Sequence, residues 1–393
     1  MKIPQSKCLY ASVLLQSSWR TAALLVFVSL LSVTISCSSD DNPAPIEEVM
    51  VKGMITSYTS SGGAMLDITK ADMTKAGFTF GDVISVTIDN KEIVMPYYDG
   101  FYGRNGEYLC VAYSTSPTIR IAVCNGSLPE ELLGLDGHAV IIRMTEKGGR
   151  LDVQEAMSAE YSCNREDFPN LSDEEYANAR VVNAGNIANG ILHRCSSPFY
   201  NFINRAYYVS VYLEDKQVQT LLNLANTVDT IQPSDMPSYS RTLWEESRVI
   251  HCPLKVDPTA DDFSNKLIEA LKELPSYPAP YAVHCMEGKD RTGYVCALLE
   301  GLCGATYKEI VADYLITFYN YYQYTPDNNP QFCNTLVSLR LNPCLMHYAG
   351  VDDESQLPDT DYAQAISSYL LSHGMSQQQL DALIQALTVS KDV

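Results

Sequence analysis

The hydrophobic pattern of the chain changes near residue 160, and this change requires two architectures in one molecule. Between residue 50 and about residue 155, apolar and polar residues alternate in short segments, as in VISVTI at 83–88 and TIRIAV at 118–123. Turns rich in Gly and Asn separate these segments, which predicts strands of an antiparallel barrel or sandwich. From residue 170 onward, strand-like segments alternate with helical stripes. That order predicts an α/β domain with a largely parallel sheet.

The charge balance narrows the range of partners. Among 393 residues, 47 acidic side chains outnumber 27 basic ones, which gives a formal net charge of −20. Such a chain repels nucleic acid and anionic membrane surfaces, so we expect no nucleic-acid partner. A polyanionic substrate would have to be captured by a concentrated local site. The hydrophobic fraction of 46% excludes a wholly disordered chain.

The first 48 residues have the composition of an export signal followed by a tether. Three basic residues precede an apolar run at 21–35, which is short for a spanning helix of about 20 residues. The run is followed by Cys37, and this order resembles a bacterial lipoprotein signal that is cleaved before Cys37 and lipidated on its sulfur. Ordinary secretion with an incidental cysteine is the alternative. We therefore expect a lipid anchor in the bacterial cell envelope, on the periplasmic or outer-membrane side.

One segment carries the chemistry, namely HCMEGKDRTG at 284–293, between a predicted strand and a predicted helix. A loop that enters a helix N-terminus presents backbone N–H groups to an anion. Gly288 allows the positive φ that so tight a turn needs. Arg291 can return to the same anion with a bidentate guanidinium group. Because these groups all favour a thiolate, Cys285 is predicted to be a nucleophile aimed at phosphorus.

The expected reaction consists of two in-line displacements. Cys285 attacks phosphorus, the alcohol leaves with a proton from a general acid, and water then hydrolyses the phosphocysteine. Thr292 can donate its hydroxyl to the sulfur, and His284 is expected to orient the loop through a side-chain hydrogen bond. The amides and the loop arginine supply the positive charge, so neither a metal nor a cofactor is needed. The two His-Cys pairs at 251–252 and 284–285 lack a third ligand group spaced for zinc.

The ten-residue segment resembles the signature of the cysteine-dependent protein tyrosine phosphatases. The form C-x-x-G-K-D-R-T-G is similar to a bacterial subgroup that includes secreted tyrosine and phosphoinositide phosphatases. The segments GILHRC at 190–195 and EIVADYL at 309–315 also resemble that subgroup. The resemblance covers about residues 180–390 and implies a tyrosine-phosphatase-like, parallel-rich sheet flanked by helices. It also implies a set of loop residues that bind the substrate phosphate: Met286, Glu287, Gly288, Lys289 and Gly293.

The β-rich segment is similar, over about 90 residues, to the small barrel of bacterial S-adenosylmethionine hydroxide adenosyltransferases. That likeness implies a fold and no activity, and a spacer or docking barrel is the expected role. The predicted division is a signal peptide at 1–36, a lipidated tether at 37–48, an all-β barrel-like domain at 49–158 and a tyrosine-phosphatase-like catalytic domain at 165–393.

Several acidic residues are candidates for the general acid. The subgroup tends to place an Asp in a D-L-R turn after its first strand, whereas this chain has Asn223 there. Asparagine cannot protonate a leaving alkoxide. Asp290 within the loop is the first candidate and Asp257 the second, while Asp261 and Asp262 are further candidates that also suit helix capping.

Three functions are consistent with these residues. The first is an exported phosphatase that hydrolyses phosphotyrosine or related phosphomonoesters, with a phosphorylated protein or a small phosphomonoester as partner. The second is an inositol polyphosphate or phosphoinositide phosphatase, in which Lys289 contacts a second phosphate; the alternative for Lys289 is a solvated loop lysine. The third is an inactive phosphate-binding envelope module, which Asn223 makes conceivable.

Two further features allow more than one interpretation. The aromatic segment FYNYYQY at 318–324 suits core packing, and a pocket wall or lid is the alternative. An exported chain can pair cysteines, for example Cys163 with Cys195 or Cys333 with Cys344. The cysteines in apolar runs, at 110, 124, 296 and 303, suit buried free thiols equally well.

Overall fold

The computed structural model describes residues 49–225 and 232–389. The predicted signal peptide, Cys37 and the tether lie outside these ranges. Within the described ranges, none of the helices is long and apolar enough to cross a membrane.

The N-terminal unit is a closed barrel of seven strands in the order β1-β2-β6-β5-β4-β3-β7. The strands are β1 Met50–Tyr58, β2 Ala64–Thr69, β3 Val83–Ile88, β4 Lys91–Tyr98, β5 Tyr108–Val111, β6 Thr118–Val123 and β7 Ala139–Glu146. Their pairing is antiparallel except between β4 and β5, which are parallel. In β3, Ile84, Val86 and Ile88 are buried on the barrel interior, as the alternation predicted. The prediction of an all-β barrel is thus confirmed, with one parallel pair that the pattern did not indicate.

The second unit is built on a five-stranded sheet in the order β11-β10-β12-β9-β8. Its strands are β8 Arg180–Val181, β9 Leu192–Cys195, β10 Thr220–Asn223, β11 Val249–His251 and β12 Tyr281–His284. Only the edge pair of β8 and β9 is antiparallel among these strands. The prediction of a parallel-rich sheet is therefore confirmed. The central strand β12 is buried along its whole length and ends directly before Cys285.

Two short helices accompany the barrel and ten pack around the sheet in the described residues. The helices are α1 Lys70–Lys75, α2 Leu151–Ser158, α3 Asp173–Tyr176, α4 Ala206–Asp215, α5 Ser238–Glu245, α6 Asp261–Glu273, α7 Asp290–Leu302, α8 Tyr307–Tyr322, α9 Pro330–Leu336, α10 Asn342–Ala349, α11 Tyr362–Ser372 and α12 Gln377–Thr388. A π-helical turn, Val337–Leu341, joins α9 to α10. Every residue of α7 from Thr292 onward is buried, as expected for a helix that is packed on all sides.

Three local features differ from what the sequence favours. The apolar segment VIHCPLKV at 249–256 favours one strand, but β11 ends at His251, because Pro253 has no N–H to continue the ladder. The spacing of Thr259 and Asp262 favours a capping box, which does not form, since Ala260 is the N-cap residue of α6. Neither proposed disulfide forms, because the thiols at 195, 333 and 344 are free and buried. The cysteines at 110, 124, 296 and 303 are also free and buried, which confirms the alternative interpretation.

The barrel packs directly against the second unit. The Arg104 guanidinium donates to the carbonyl and hydroxyl oxygens of Ser338, at 3.0 and 2.7 Å, and to the Glu354 carboxylate at 2.6 Å. Leu339, on the π-helical turn, packs with an apolar cluster on the barrel surface. These contacts fix the barrel beside α9 and the residues that follow it.

Candidate active site

The ten-residue segment forms the connection between the central strand and the central helix. His284 is the last residue of β12, Cys285 follows with 3% of its surface exposed, and α7 begins at Asp290. Arg291 and Thr292 therefore lie in the first turn of a helix whose N-terminus faces the loop. The predicted strand–loop–helix order is confirmed.

The carbonyl groups of three successive loop residues are tied to the surrounding scaffold. Met286 O accepts from the Ser197 amide at 3.1 Å. Glu287 O accepts from Tyr321 Oη at 2.6 Å and from Asn178 Nδ2 at 3.0 Å. Gly288 O accepts from Asn178 Nδ2 and from Arg194 Nη2, both at 3.2 Å. Five hydrogen bonds, donated by three side chains and one backbone amide, thus hold the outer side of the loop.

The amides of the same loop point the other way. In a planar trans peptide the N–H is opposite to the preceding C=O, so the amides of residues 287–289 are directed into the loop. Within the described ranges, no amide of residues 286–291 donates to a protein acceptor. Convergent amides at a helix N-terminus form a site for an oxyanion. The loop therefore has the geometry of a phosphate cradle with Cys285 at its start.

Gly288 is required by the way the loop is folded. Its φ is +67°, as the sequence predicted, and a Cβ there would lie 2.3 Å from the carbonyl oxygen of Cys195. Gly293 has a different role, because a Cβ on it would lie 2.6 Å from the ring of Tyr314 on α8. Gly288 thus permits the turn, whereas Gly293 permits close packing of two helices.

A buried ion-pair network stands behind the loop. Asp313 accepts from Arg180 Nε at 2.8 Å and from Arg194 Nη1, and Arg194 bonds Gly288 through its other terminal nitrogen. Burial works to raise the pKa of Asp313, but the two guanidinium groups hold it well below its ordinary value. The carboxylate therefore stays charged and fixes Arg194. Arg194 and Asp313 lie in the segments 190–195 and 309–315, which resemble the phosphatase subgroup. That resemblance predicted no role for either residue.

His284 is buried and neutral. Burial lowers its pKa to about 3, and its Nδ1 lies 3.2 Å from the carbonyl oxygen of Cys285. A neutral ring that bonds a carbonyl must carry its proton on Nδ1. This bond ties the ring of His284 to the carbonyl of Cys285, and the role of His284 in orienting the loop stays a prediction.

Arg291 is held in place by one of its terminal nitrogens. Nη1 donates to the carbonyl oxygens of Leu224 and Leu254, at 3.2 and 3.1 Å. Nε and Nη2 donate to no acceptor in the described part of the chain. These groups are therefore left for a bound anion, as a phosphate clamp requires.

The hydroxyl of Thr292 does not make the predicted hydrogen bond to the sulfur of Cys285. Its side chain is fully buried, and its hydroxyl has no hydrogen-bond partner among the residues described, Cys285 included. A thiol sulfur is a weak acceptor. The predicted bond is one that the Thr292 hydroxyl donates to a thiolate at Cys285, and the structure does not contain that bond.

Lys289 is neither solvated nor free. Its Nζ lies 2.9 Å from a Glu287 carboxylate oxygen and 4.0 Å from one of Asp290, and 17% of its side chain is exposed. Burial alone would lower the pKa of Lys289, but the two carboxylates raise it. Tyr161 donates to the other Glu287 oxygen at 2.8 Å. The solvated-lysine interpretation is therefore wrong, and the positive charge at Lys289 is compensated before any substrate arrives.

The general-acid candidates occupy different environments. Asp290 lies at the first position of α7 with 30% of its side chain exposed. Asp257 Oδ1 instead accepts from the amide and hydroxyl of Thr259 and from Asn105 of the barrel, at 2.8 to 3.0 Å. Asn223 is fully buried at the end of β10, and its Oδ1 accepts from the Ala225 amide at 3.0 Å. These contacts give Asp257 and Asn223 roles in turns, and the assignment to Asp290 stays a prediction.

Across the described residues, no three His, Cys, Asp or Glu side chains converge on a position for a metal ion. The aromatic segment 318–324 divides between two roles. Phe318 and Tyr321 are buried in the core, whereas Tyr324 is 37% exposed.

Residues 236–389 match the model of the tyrosine phosphatase family, and this range contains the whole loop. The match spans less than half of the chain. Together with the loop it defines the class: the chain is a phosphatase enzyme, of the cysteine-dependent kind. Within that class, the matched segment is similar to the tyrosine phosphatases. No match to a curated protein is found.

Solved structures give distant similarities. The core catalytic domain of the PP-IP phosphatase Siw14 from S. cerevisiae is 17% identical over 39% of this chain and 87% of its own, with a TM-score of 0.25. TpbA from P. aeruginosa is 17% identical over 51% of this chain and 88% of its own, with a TM-score of 0.21. An uncharacterized conserved protein from Thermotoga maritima is 23% identical over 25% of this chain and 37% of its own, with a TM-score of 0.23. This chain thus spans little more than a third of the Thermotoga protein.

Proposed function

We propose that this protein is an exported, lipid-anchored phosphatase of the bacterial cell envelope that hydrolyses phosphotyrosine or related phosphomonoesters through a phosphocysteine intermediate. One observation carries the catalytic part of the proposal. The carbonyls of the loop are bonded to the scaffold on its outer side, so the amides converge on its inner side next to Cys285. The location rests on the sequence of the first 48 residues.

The residues divide the reaction between binding and displacement. The loop amides and the free N–H groups of Arg291 hold three phosphate oxygens, and Cys285 attacks the phosphorus from below. His284 and Arg194 keep the loop carbonyls turned away, so the cradle needs no rearrangement when the charge develops. Asp290, partly exposed at the rim, is the group proposed to protonate the leaving oxygen and then to activate water.

The charge at the rim favours a substrate with one phosphate. An inositol polyphosphate needs additional cations, and Lys289 is the first basic residue that the loop offers. Its ammonium group is already paired with Glu287 and lies near Asp290. The two acids would repel a second phosphate, which separates this proposal from an inositol polyphosphate phosphatase.

A substrate panel tests the proposal. Phosphate release would be measured from a phosphotyrosine peptide, a phosphoserine peptide and an inositol polyphosphate, in the presence of a chelator, beside Cys285→Ser. We expect the phosphotyrosine peptide to have the highest kcat/KM, by at least about 100-fold over the inositol polyphosphate, and the variant to be inactive. An inositol polyphosphate turned over as well as the peptide would refute the substrate assignment. Binding of phosphate without turnover would instead indicate the inactive module.

The anchor has its own test. Labelled fatty acid is expected to enter the wild-type protein in the bacterial host and to be absent from Cys37→Ala, which should be recovered in the soluble fraction. Equal labelling of both proteins would contradict lipidation at Cys37.

A further inference from the structure

A cavity of about 590 Å³ lies beside the catalytic loop. Its walls come from α2 and the segment that follows it, from the C-terminal end of α8, and from the start of α9. It is therefore formed where the connection from the barrel meets the second unit. None of the residues assigned above to the phosphate cradle lines it.

The lining combines aromatic rings with carboxylates. The rings belong to Tyr161, Phe168, Tyr321, Tyr322, Tyr324 and Phe332. Carboxylates are contributed by residues 152, 155, 160 and 167, and the lining contains no Lys, Arg or His. The carboxylates of Glu155 and Glu160 make no hydrogen bond or ion pair with any described residue. Two carboxylates are thus available to a ligand of positive charge.

The rings are arranged before any ligand binds. Tyr322 and Tyr324 are stacked with centroids 6.3 Å apart and planes 10° from parallel. Phe332 meets Tyr324 edge-on at 4.8 Å and Tyr322 at 5.2 Å. Aromatic faces next to carboxylates attract a guanidinium or ammonium group, because the ring quadrupole and the negative charge act in the same direction.

Two hydroxyl groups join this cavity to the catalytic loop. Tyr161 donates to the Glu287 carboxylate at 2.8 Å, and Tyr321 donates to the Glu287 carbonyl at 2.6 Å. Residue 287 is two positions after the nucleophile, so its Cα is within about 7 Å of that of Cys285. An extended peptide advances about 3.3 Å per residue, so a side chain three to six residues from a phosphotyrosine in the cradle can reach the rings.

We infer that this cavity is a subsite for a basic side chain, arginine above all, that flanks the phosphorylated residue of a protein substrate. The inference rests on the proposed function and narrows its substrate class to phosphotyrosine in a basic sequence. Arginine fits because its planar guanidinium stacks on the aromatic rings and pairs with Glu155 or Glu160. The net charge of −20 attracts such a peptide from a distance.

The test uses phosphotyrosine peptides of one length in which a single arginine moves from two to six positions on either side of the phosphotyrosine. Glutamine replaces it in the reference peptide. We expect one placement to lower KM about tenfold with kcat unchanged. The double variant Glu155→Gln/Glu160→Gln, and separately Tyr324→Leu, should remove that preference. The control is the double variant Glu92→Gln/Glu130→Gln, which removes two negative charges from the barrel at positions outside the cavity. This control should keep the preference for the arginine peptide.

An aryl phosphate without a peptide separates this inference from the proposed function. All cavity variants should hydrolyse it at the wild-type rate, whereas its failure as a substrate of the wild type would overturn the proposed function itself. The inference is overturned if no arginine placement is preferred, or if the preference is unchanged in the cavity variants. A free guanidinium compound that binds the cavity while no peptide shows a preference would also overturn it, since the subsite would then serve a small cation.

Discussion

Substitution of Gly288 by alanine tests whether the catalytic loop depends on the close approach of two backbone segments. The residue has φ +67°, and an added Cβ would lie 2.3 Å from Cys195 O, 2.5 Å from Cys195 C and 2.7 Å from Ser196 N. All three atoms are backbone, so no flexible side chain can yield. The loop must move away from β9 instead.

The size of the effect follows from these distances. The left-handed conformation costs alanine about 1–2 kcal/mol. Relief of the contact requires a shift of about 1 Å, and a displacement of that size in a catalytic group costs about 100-fold in rate. We therefore expect kcat/KM for an aryl phosphate to fall about 100-fold or more in Gly288→Ala, with a lower midpoint of thermal unfolding.

Gly350→Ala is the matched control. Gly350 has φ +66° with no atom within 4 Å of its Cβ position, so this variant has the same backbone strain without the collision. It should lose a similar 1–2 kcal/mol of stability and keep full activity. A Gly288→Ala enzyme within threefold of the wild type, or one that is no worse than Gly350→Ala, would refute the account of the loop.

Three further predictions concern single residues. Asp290→Asn should lower kcat about 100-fold or more for an alkyl phosphate and much less for p-nitrophenyl phosphate, because only the poor leaving group needs a proton; equal losses in steady-state assays would contradict that role. Burial, and then Asp313, raise the pKa of Glu300, so the folded protein keeps a proton that the unfolded chain releases as the pH rises above its ordinary value of 4.5. The free energy of unfolding of Glu300→Gln, relative to that of the wild type, should therefore increase from pH 5 to pH 8, by at most about 1.4 kcal/mol per pH unit; a difference that stays constant in chemical denaturation would disprove the assignment. Arg104→Ala removes a half-exposed ion pair between the barrel and the second unit. Chemical denaturation should show a free energy of unfolding that is lower by about 1 kcal/mol, with unchanged activity. A loss of activity would show instead that the barrel acts on the site.

The parts of this molecule that sequence reasoning predicted are those that local pattern determines. Alternation in VISVTI places one row of side chains in the barrel, and the order of strand, loop and helix around Cys285 follows from apolar runs on both sides of a polar segment. The positive φ of Gly288 likewise follows from the short span of its turn. Each of these depends on neighbours along the chain.

The supports of the loop depend instead on residues that are far away in sequence. Asn178, Arg194 and Tyr321 bond the loop from 34 to 110 positions away, and no spacing rule connects them to it. The same limit applies to the cysteines, since pairing needs distances that residue spacing does not provide. Lys289 was assigned to a second phosphate or to solvent because its pairing with Glu287 depends on the loop conformation.

Detection of the phosphocysteine would show directly whether Cys285 is the nucleophile. The protein would be mixed with an aryl phosphate in the presence of a chelator, quenched in acid within the first turnovers, and digested for mass spectrometry. We expect one added phosphoryl group on the peptide that contains Cys285, and neither adduct nor turnover in Cys285→Ser. Phosphate release without an adduct on Cys285, or turnover that persists in Cys285→Ser, would contradict it.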